Sequence, residues 1–534
     1  MSINAKHKND FNKRFEFFQL IDPTFLVFSL IAINFLSFIP HTNEEQYLLY
    51  ANQHFNPEWI TGSLMATEFP GTRYLFELLF GWIVDSFGFE KTVFFGRIIN
   101  FALMSFPIAV LFKKLRFSNL QMILALQIFI LFGQNLYGGE WIFGAMEAKT
   151  FAYIFIFWGL TKFLKKEYYT AFGLITAATY FHVLIGGWFA ISCLLTLLIQ
   201  KYPFKKTVQL GFLYGLPLLP LLYYLGKNML GEVPEYIQKV NLDYIYVYFR
   251  NKHHIGLFYD FEYFFQNHFI GVLASLIVFL AFLKLEKLTA FVKTTPVLLT
   301  IKNLMLAMFA IGFLFVGVSL MDKLFFDLSG GFLLKSYPFR MQGLACLFFV
   351  ALSIGFLSQK GRLTDSKHKV LMFLVPILLG SALVNVGLNI RDMVNYQSDT
   401  AYNEVIEYLK KETPTSSTIM VLPGNNSQMK NRQNDSFALD LMRRTKRDNF
   451  VHFKYIPSTP EKMYQWYQRL KIVEKIEKSP VYLNDVKKEF TINYVLTPQS
   501  KELNQKVVYE NKAYKIFEIE KENQVGKPIP IKLN

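Results

Sequence analysis

Apolar runs recurring through the first 390 residues constrain this chain more than any other feature. A helix needs about 20 apolar residues to cross a bilayer. Inside the bilayer only helices and closed barrels satisfy their own backbone polar groups. The runs are residues 24–39, 93–112, 120–136, 148–164, 171–184, 187–199, 208–225, 269–283, 304–321, 339–357 and 370–388. They predict an α-helical polytopic membrane protein of about eleven spans, some shorter than a full crossing. The two runs on either side of Ile185–Gly187 read as a tight hairpin of short helices. Of the 534 residues 52% are hydrophobic and 18% charged, which excludes a disordered, fibrous or disulfide-built chain. Cys193 and Cys346 both sit inside apolar runs and read as small buried hydrophobes.

The net charge of +16 would suggest nucleic acid in a soluble protein. Here it reflects the retention of basic residues in cytoplasmic loops, and no nucleic-acid partner is expected. Lys6, Lys8, Lys13 and Arg14 precede the first run, and no small-residue cleavage site follows it. This reads as a retained signal-anchor with the N-terminus inside. Alternating from there places most of the basic residues between spans on the inside, among them Lys113, Lys114, Arg116, Lys165, Lys166, Lys205, Lys206, Lys284, Lys360 and Arg362. Residues 73–88 are apolar but contain Glu77 and Asp85. They read as an amphipathic helix lying at the outer interface; were they to span, the parity of everything after them would flip.

The membrane domain is therefore residues 1–390, with outer loops at 41–92, 137–149, 226–268 and 321–338. From residue 391 to 534 no run of spanning length occurs. Residues 402–411 and 461–478 read as helices, and 418–422, 492–497, 506–509 and 514–519 as strands, with a turn at Pro423-Gly424-Asn425-Asn426. The tail is expected to be a small α/β domain outside the cytoplasm. Its basic run Arg443-Arg444-Thr445-Lys446-Arg447 reads as a solvated face. No internal repeat stands out.

An ionisable residue in or beside a span is costly and calls for an explanation. Under this topology the candidates all fall on the outer face. They are Glu44 and Glu45 in Asn43-Glu44-Glu45-Gln46-Tyr47, Glu140 after Gly138-Gly139, Glu147 and Lys149 at the mouth of the fourth span, and His182 at the end of the fifth. Arg250, His253 and His254 lie in the large outer loop, and Arg340 follows Pro338 at the mouth of the tenth span. Each has a plain alternative. Glu44 and Glu45 fit an ordinary polar loop, Glu140, Glu147 and Lys149 would pair with one another, His182 would be a core histidine, and Arg340 would snorkel. Adjacent histidines on a strand point to opposite faces, so His253 and His254 are awkward joint metal ligands. Carboxylates can also hold a divalent cation, and no spacing here tests that.

Acids and an arginine at the outer face fit transfer of a sugar from a lipid-phosphate donor. Arg340, Lys149 or Arg250 would meet the phosphate, and a carboxylate would take the proton of the acceptor hydroxyl. An acidic pair in the first outer loop, many spans, N-inside topology and an outer C-terminal domain resemble the GT-C superfamily of polyprenyl-phosphate-dependent glycosyltransferases. The segments Gly139-Glu140, Glu147-Ala148-Lys149-Thr150-Phe151-Ala152-Tyr153, Phe181-His182, Arg250 with His253-His254, and Pro338-Phe339-Arg340 are similar to an uncharacterised family of bacterial multi-pass membrane proteins. The GT-C resemblance implies Glu44 or Glu45 as the base and Arg340 at the donor phosphate. It also implies a lipid-linked sugar donor and a glycan, lipid or protein acceptor. The GT-C pattern commonly has an aspartate or an Asp/Glu pair where this chain has two glutamates. High Lys, Asn, Ile and Phe content points to a low-GC bacterium, so the chain is expected in the bacterial cytoplasmic membrane. Two other readings stand: a flippase of a lipid-linked saccharide, and a non-catalytic envelope assembly subunit. Charges gathered at the outer ends, without internal repeats, fit a transporter less well.

Overall fold

The computed structural model describes residues 20–60, 63–64, 71–229, 233–358, 365–423, 437–454 and 456–520. Lys6, Lys8, Lys13, Arg14, Lys360, Arg362 and the turn residues Gly424, Asn425 and Asn426 lie outside them.

The apolar runs fold into helices. Among the described residues five are long and apolar enough to cross a membrane: Phe89–Lys114, Phe204–Lys227, Pro296–Phe325, Gly331–Leu357 and Ile377–Asn395. Phe261–Asn267 and Phe269–Lys284 meet at a 62° bend and make a sixth if they form one span. The remaining runs give shorter helices, Pro23–Phe35, Asn119–Leu131, Ala148–Leu164, Tyr168–Phe181 and Val183–Ile199. At 1.5 Å per residue, a 13-residue helix such as Pro23–Phe35 covers roughly 20 Å, short of a hydrocarbon core of about 30 Å. The architecture is that of a helical membrane protein with a small C-terminal sheet, and five or six helices among the described residues have crossing length.

The chain divides into two compact units. One comprises Met1–Ser37, Phe94–Tyr223 and Asp243–Arg391; the other comprises Phe38–Val93, Tyr224–Leu242 and Asp392–Asn534.

In the first unit, Ala148–Leu164 packs along Tyr168–Phe181, and the Phe181 ring stacks on Phe151 and Phe155 at 5.9 and 5.5 Å. The break expected at Ile185–Gly187 falls at His182 instead. Its backbone is extended, and its Nδ1 accepts from the Ile185 N–H at 3.4 Å, capping Val183–Ile199. Gly186 does not make the turn but lets the two helices close on each other: a Cβ there would stand 2.1 Å from Thr179 Oγ1. A polar network ties three more helices. Asn34 donates to Gln127 Oε1 at 3.0 Å, Gln127 donates to Ser381 at 3.2 Å, and Asn385 donates to Asn34 Oδ1 at 2.8 Å. Away from water such bonds hold helices together where the hydrophobic effect cannot.

The second unit is built around a five-stranded sheet: β1 (Thr418–Val421), β2 (Asp448–Asn449), β3 (Tyr494–Pro498), β4 (Lys506–Glu510) and β5 (Tyr514–Glu518). The order is β2-β1-β3-β5-β4; β1 pairs parallel with β2 and β3, and β5 antiparallel with β3 and β4. Every residue of β3 is buried. One core cluster joins Ile419, Val421, Leu496 and Ile516 to Tyr402, Val405, Ile406 and Leu409 of helix Thr400–Glu412. Residues 38–93 cluster with the tail. Helix Thr42–Phe55 packs against Phe437–Thr445 and against Tyr74–Phe87, where a Cβ on Gly81 would stand 2.4 Å from the Ala51 carbonyl oxygen. Tyr74–Phe87 has 14 residues, too few to cross. It buries Glu77 against His54 (2.5 Å) and Arg73 (3.2 Å), and it leaves Leu78, Leu79 and Trp82 exposed.

The basic run is not a solvated face. Arg443 and Arg447 are buried. Arg443 pairs with Asp440 and Glu90. Arg447 donates to the carbonyls of Lys410, Thr413 and Thr445 and to Thr413 Oγ1. One guanidinium thus satisfies carbonyls at the C-terminal ends of two helices, which five donors in a fixed fork allow.

Candidate functional site

The site candidates of the first unit gather around Glu140. The loop carrying it is folded by glycines with left-handed backbones, Gly138 (φ +83°) and Gly139 (φ +63°). A Cβ on Gly138 would stand 2.8 Å from Phe339 Cβ, and one on Gly139 would stand 3.3 Å from His254 Nδ1. Only backbone fits there, so the loop sits directly on the Pro338–Met341 turn and on the His254 ring. Gln134 braces the loop from inside: it accepts from the Ile142 and Phe143 N–H groups at 2.9 and 2.7 Å and donates to the Phe143 carbonyl at 2.8 Å.

Glu140 is 3% exposed and surrounded by cations. Arg340 Nη1 donates to its Oε2 at 2.5 Å, and Lys149 Nζ lies 3.6 Å from the same oxygen. Lys149 also pairs with Glu147 Oε1 at 3.1 Å and stands 3.6 Å above the centre of the Trp141 ring. Gly144 admits that ring, since a Cβ there would be 3.2 Å from it. Glu147 itself starts helix Ala148–Leu164, its N–H bonded to Thr150 Oγ1 at 3.2 Å. Arg340 is held over the Tyr337 ring at 4.4 Å, and its carbonyl accepts from the Tyr153 hydroxyl at 3.3 Å. Arg250 also lies close enough to Tyr337 to act on its phenol. Burial alone would raise the Glu140 carboxyl, but Arg340, Lys149 and His254 outweigh it and hold it down to about 2. Burial pushes the His254 imidazole down to about 4, against the pull of Glu140.

The structure brings Glu140, Glu147, Lys149, His254 and Arg340 together, with Arg250 beside Tyr337. His253 and His254 lie in a turn rather than a strand, their rings 4.0 Å apart, His253 exposed. His182 serves as a helix cap. Glu44 and Glu45 belong to the other unit and are buried there. Glu44 closes a capping box, accepting from the His41 N–H at 2.7 Å. Glu45 acts electrostatically on Tyr402, next to Asp440. Among the described residues no three His, Cys, Asp or Glu side chains are grouped to hold a metal ion. The carboxylates at Glu140 face cations instead, so these residues do not fit a divalent cation.

No family model matches this chain, and no curated protein matches it.

Sequence reasoning passed over Gln134, Tyr337 and Tyr153. Gln134 carried a signal, a polar residue at the end of an apolar run. Tyr337 takes a left-handed backbone (φ +50°) that no tyrosine advertises, and that turn aims Arg340.

Proposed function

We propose that this chain is a membrane glycosyltransferase. It would move a sugar from a polyprenyl-phosphate-type donor to an envelope glycan, lipid or protein acceptor at the outer face of a bacterial cytoplasmic membrane. The observation that supports this most is the pair of cations, buried Lys149 and partly buried Arg340, held on one carboxylate oxygen of Glu140. A leaving lipid phosphate gains negative charge as the glycosidic bond breaks, and preorganised cations are what such a transition state needs. Glu140 and Glu147 offset the mutual repulsion of Arg340 and Lys149, which keeps both aimed before the donor arrives. The segment Gly331–Leu357, which carries Arg340, is of membrane-crossing length, so a phosphate there would have its lipid tail beside apolar helices. The GT-C resemblance supports the same chemistry. Tyr74–Phe87, with Trp82 and two leucines outward, suits the interface between headgroups and acyl chains.

The test is mass spectrometry of lipids that co-purify with the detergent-extracted protein, wild type beside Arg340→Ala. A polyprenyl phosphate or its glycoside in the wild type, lost in the variant, is the expected result. Bulk phospholipid alone in both, after mild extraction, would overturn the donor-phosphate reading.

A further inference from the structure

Inside this cluster one ring is oriented for a proton. His254 Nδ1 lies 3.0 Å from the Gly138 carbonyl oxygen and 3.6 Å from Glu140 Oε1. Both are acceptors, so Nδ1 carries the hydrogen and Nε2 keeps its lone pair. The side chain is 25% exposed. Gly139 allows the close fit of the loop against the Nδ1 edge. The charged groups around the ring are Glu140 and Lys149 from the loop and the helix that follows it and Arg340 from the Pro338–Met341 turn; the His253 ring lies beside it, tilted by 43°.

We propose that His254 is the general base of the transfer, receiving the acceptor hydroxyl proton on Nε2 while the Gly138 carbonyl fixes the tautomer and the Glu140 carboxylate stabilises the imidazolium as it forms. This rests on the donor-phosphate reading above. The steps balance. The acceptor O–H bond breaks and its proton goes to Nε2. The acceptor oxygen bonds to the anomeric carbon. The anomeric carbon–oxygen bond to phosphate breaks, and its electron pair stays on the phosphate oxygen facing Arg340 and Lys149. Polyprenyl phosphate leaves, and the imidazolium gives its proton to water.

The nearby acids suit the task less. Glu140 has Arg340 and Lys149 on its Oε2, so its charge is committed to the two cations. Glu147 is taken up by Lys149 and a helix start. Burial keeps the His254 imidazole neutral and able to accept, and the adjacent Glu140 carboxylate opposes that burial as the imidazolium forms, a role comparable to that of the aspartate beside the histidine of a serine-protease triad.

The experiment uses the full chain in liposomes with two readouts. One is binding of polyprenyl phosphate. The other is sugar release from a panel of polyprenyl-phosphate hexoses, with water as acceptor. His254→Asn keeps an N–H near the Gly138 carbonyl but has no Nε2. It should bind polyprenyl phosphate within twofold of wild type and release sugar about 10²-fold more slowly or worse. Binding intact with release within threefold of wild type would overturn the base assignment alone. Wild type that neither binds polyprenyl phosphate nor turns over any donor would overturn the donor-phosphate reading, and this proposal with it. A second measurement needs no variant. Diethyl pyrocarbonate should acylate His254 of the wild type, polyprenyl phosphate should protect it, and release should fall in step with modification. Modification of His254 that leaves release unchanged would also overturn the assignment.

Discussion

The ion pair between Glu140 and Arg340 can be weighed quantitatively. Two unit charges about 4 Å apart attract by about 4 kcal/mol at an effective dielectric of 20. The Glu140 carboxyl gives an independent figure: its value falls from 4.5 to about 2, which corresponds to about 3 kcal/mol net of burial. Arg340→Met should therefore destabilise the protein by about 3–5 kcal/mol, because Glu140 would stay buried with only Lys149, 3.6 Å away. Glu140→Gln should cost less, since Lys149 keeps Glu147 at 3.1 Å. In the double variant neither charge is stranded, so the two losses should fall short of additive by about 2–4 kcal/mol. The assay is unfolding in mixed micelles titrated with SDS and followed by circular dichroism, for wild type, both single variants and the double. The pH dependence has a defined sign. The folded value lies below the unfolded one, so the contribution is complete above about pH 4.5 and disappears as pH falls toward 2. Losses that add within about 0.5 kcal/mol would refute the idea that these two charges hold each other in place.

Three further outcomes are expected. Asp448 in β2 is buried, and burial, partly offset by Ser63 and Arg469, raises its carboxyl from 3.8 to about 6. Its stabilising contribution is complete below about pH 3.8 and lost as pH rises through 6. Asp448→Asn should therefore slow hydrogen exchange in the sheet at pH 7.5, by up to about 3 kcal/mol of protection, and change little at pH 4. Gly138→Ala should cost well over the roughly 1 kcal/mol of its left-handed backbone, because its Cβ would meet Phe339, while Gly133→Ala (φ +66°, nothing within 4 Å) should cost only that backbone term; thermal melting of the pair checks this. Asn34→Leu removes bonds to Gln127 and Asn385 and should lower stability by about 1–2 kcal/mol, at an average near 0.6 kcal/mol per bond inside a membrane.

Elements fixed by local pattern were legible from the sequence, and those fixed by partners were not. The run at 148–164 became a helix with the same ends, because a glutamate–threonine start and a closing lysine bracket it. The strands 418–422, 506–509 and 514–519 were visible as β-branched and aromatic runs, but β2 has only two residues and exists because Asp448 and Asn449 lie beside Thr418 and Ile419. The turn at His182 was missed because the Gly186-Gly187 pair resembles a turn, whereas Gly186 serves helix contact. Arg443 and Arg447 read as solvated because a charge run carries no sign of the helix ends that Arg447 closes. For the site, the topology expected from the charge pattern assigned Glu140, Lys149, His254 and Arg340 to one side. Their meeting could not be read from spacing, since 200 residues separate Glu140 from Arg340. The capping box of Glu44 escaped notice because its partner is a histidine rather than a serine or threonine.

The second unit is assembled from three separated stretches of chain, and this sets a timetable for its synthesis. Between Val93 and Asp392 the ribosome must make about 300 residues. At 5–20 residues per second that takes roughly 15–60 s. Throughout that interval the stretch 38–93 has left the ribosome, but several of its partners have not. His54 and Arg73 can already meet Glu77, but Glu90 waits for Arg443 and Ser63 waits for Asp448. The early segment must therefore be shielded by lipid, translocon or chaperone until the C-terminal residues arrive. A ribosome stalled before residue 392 would leave it exposed to proteases.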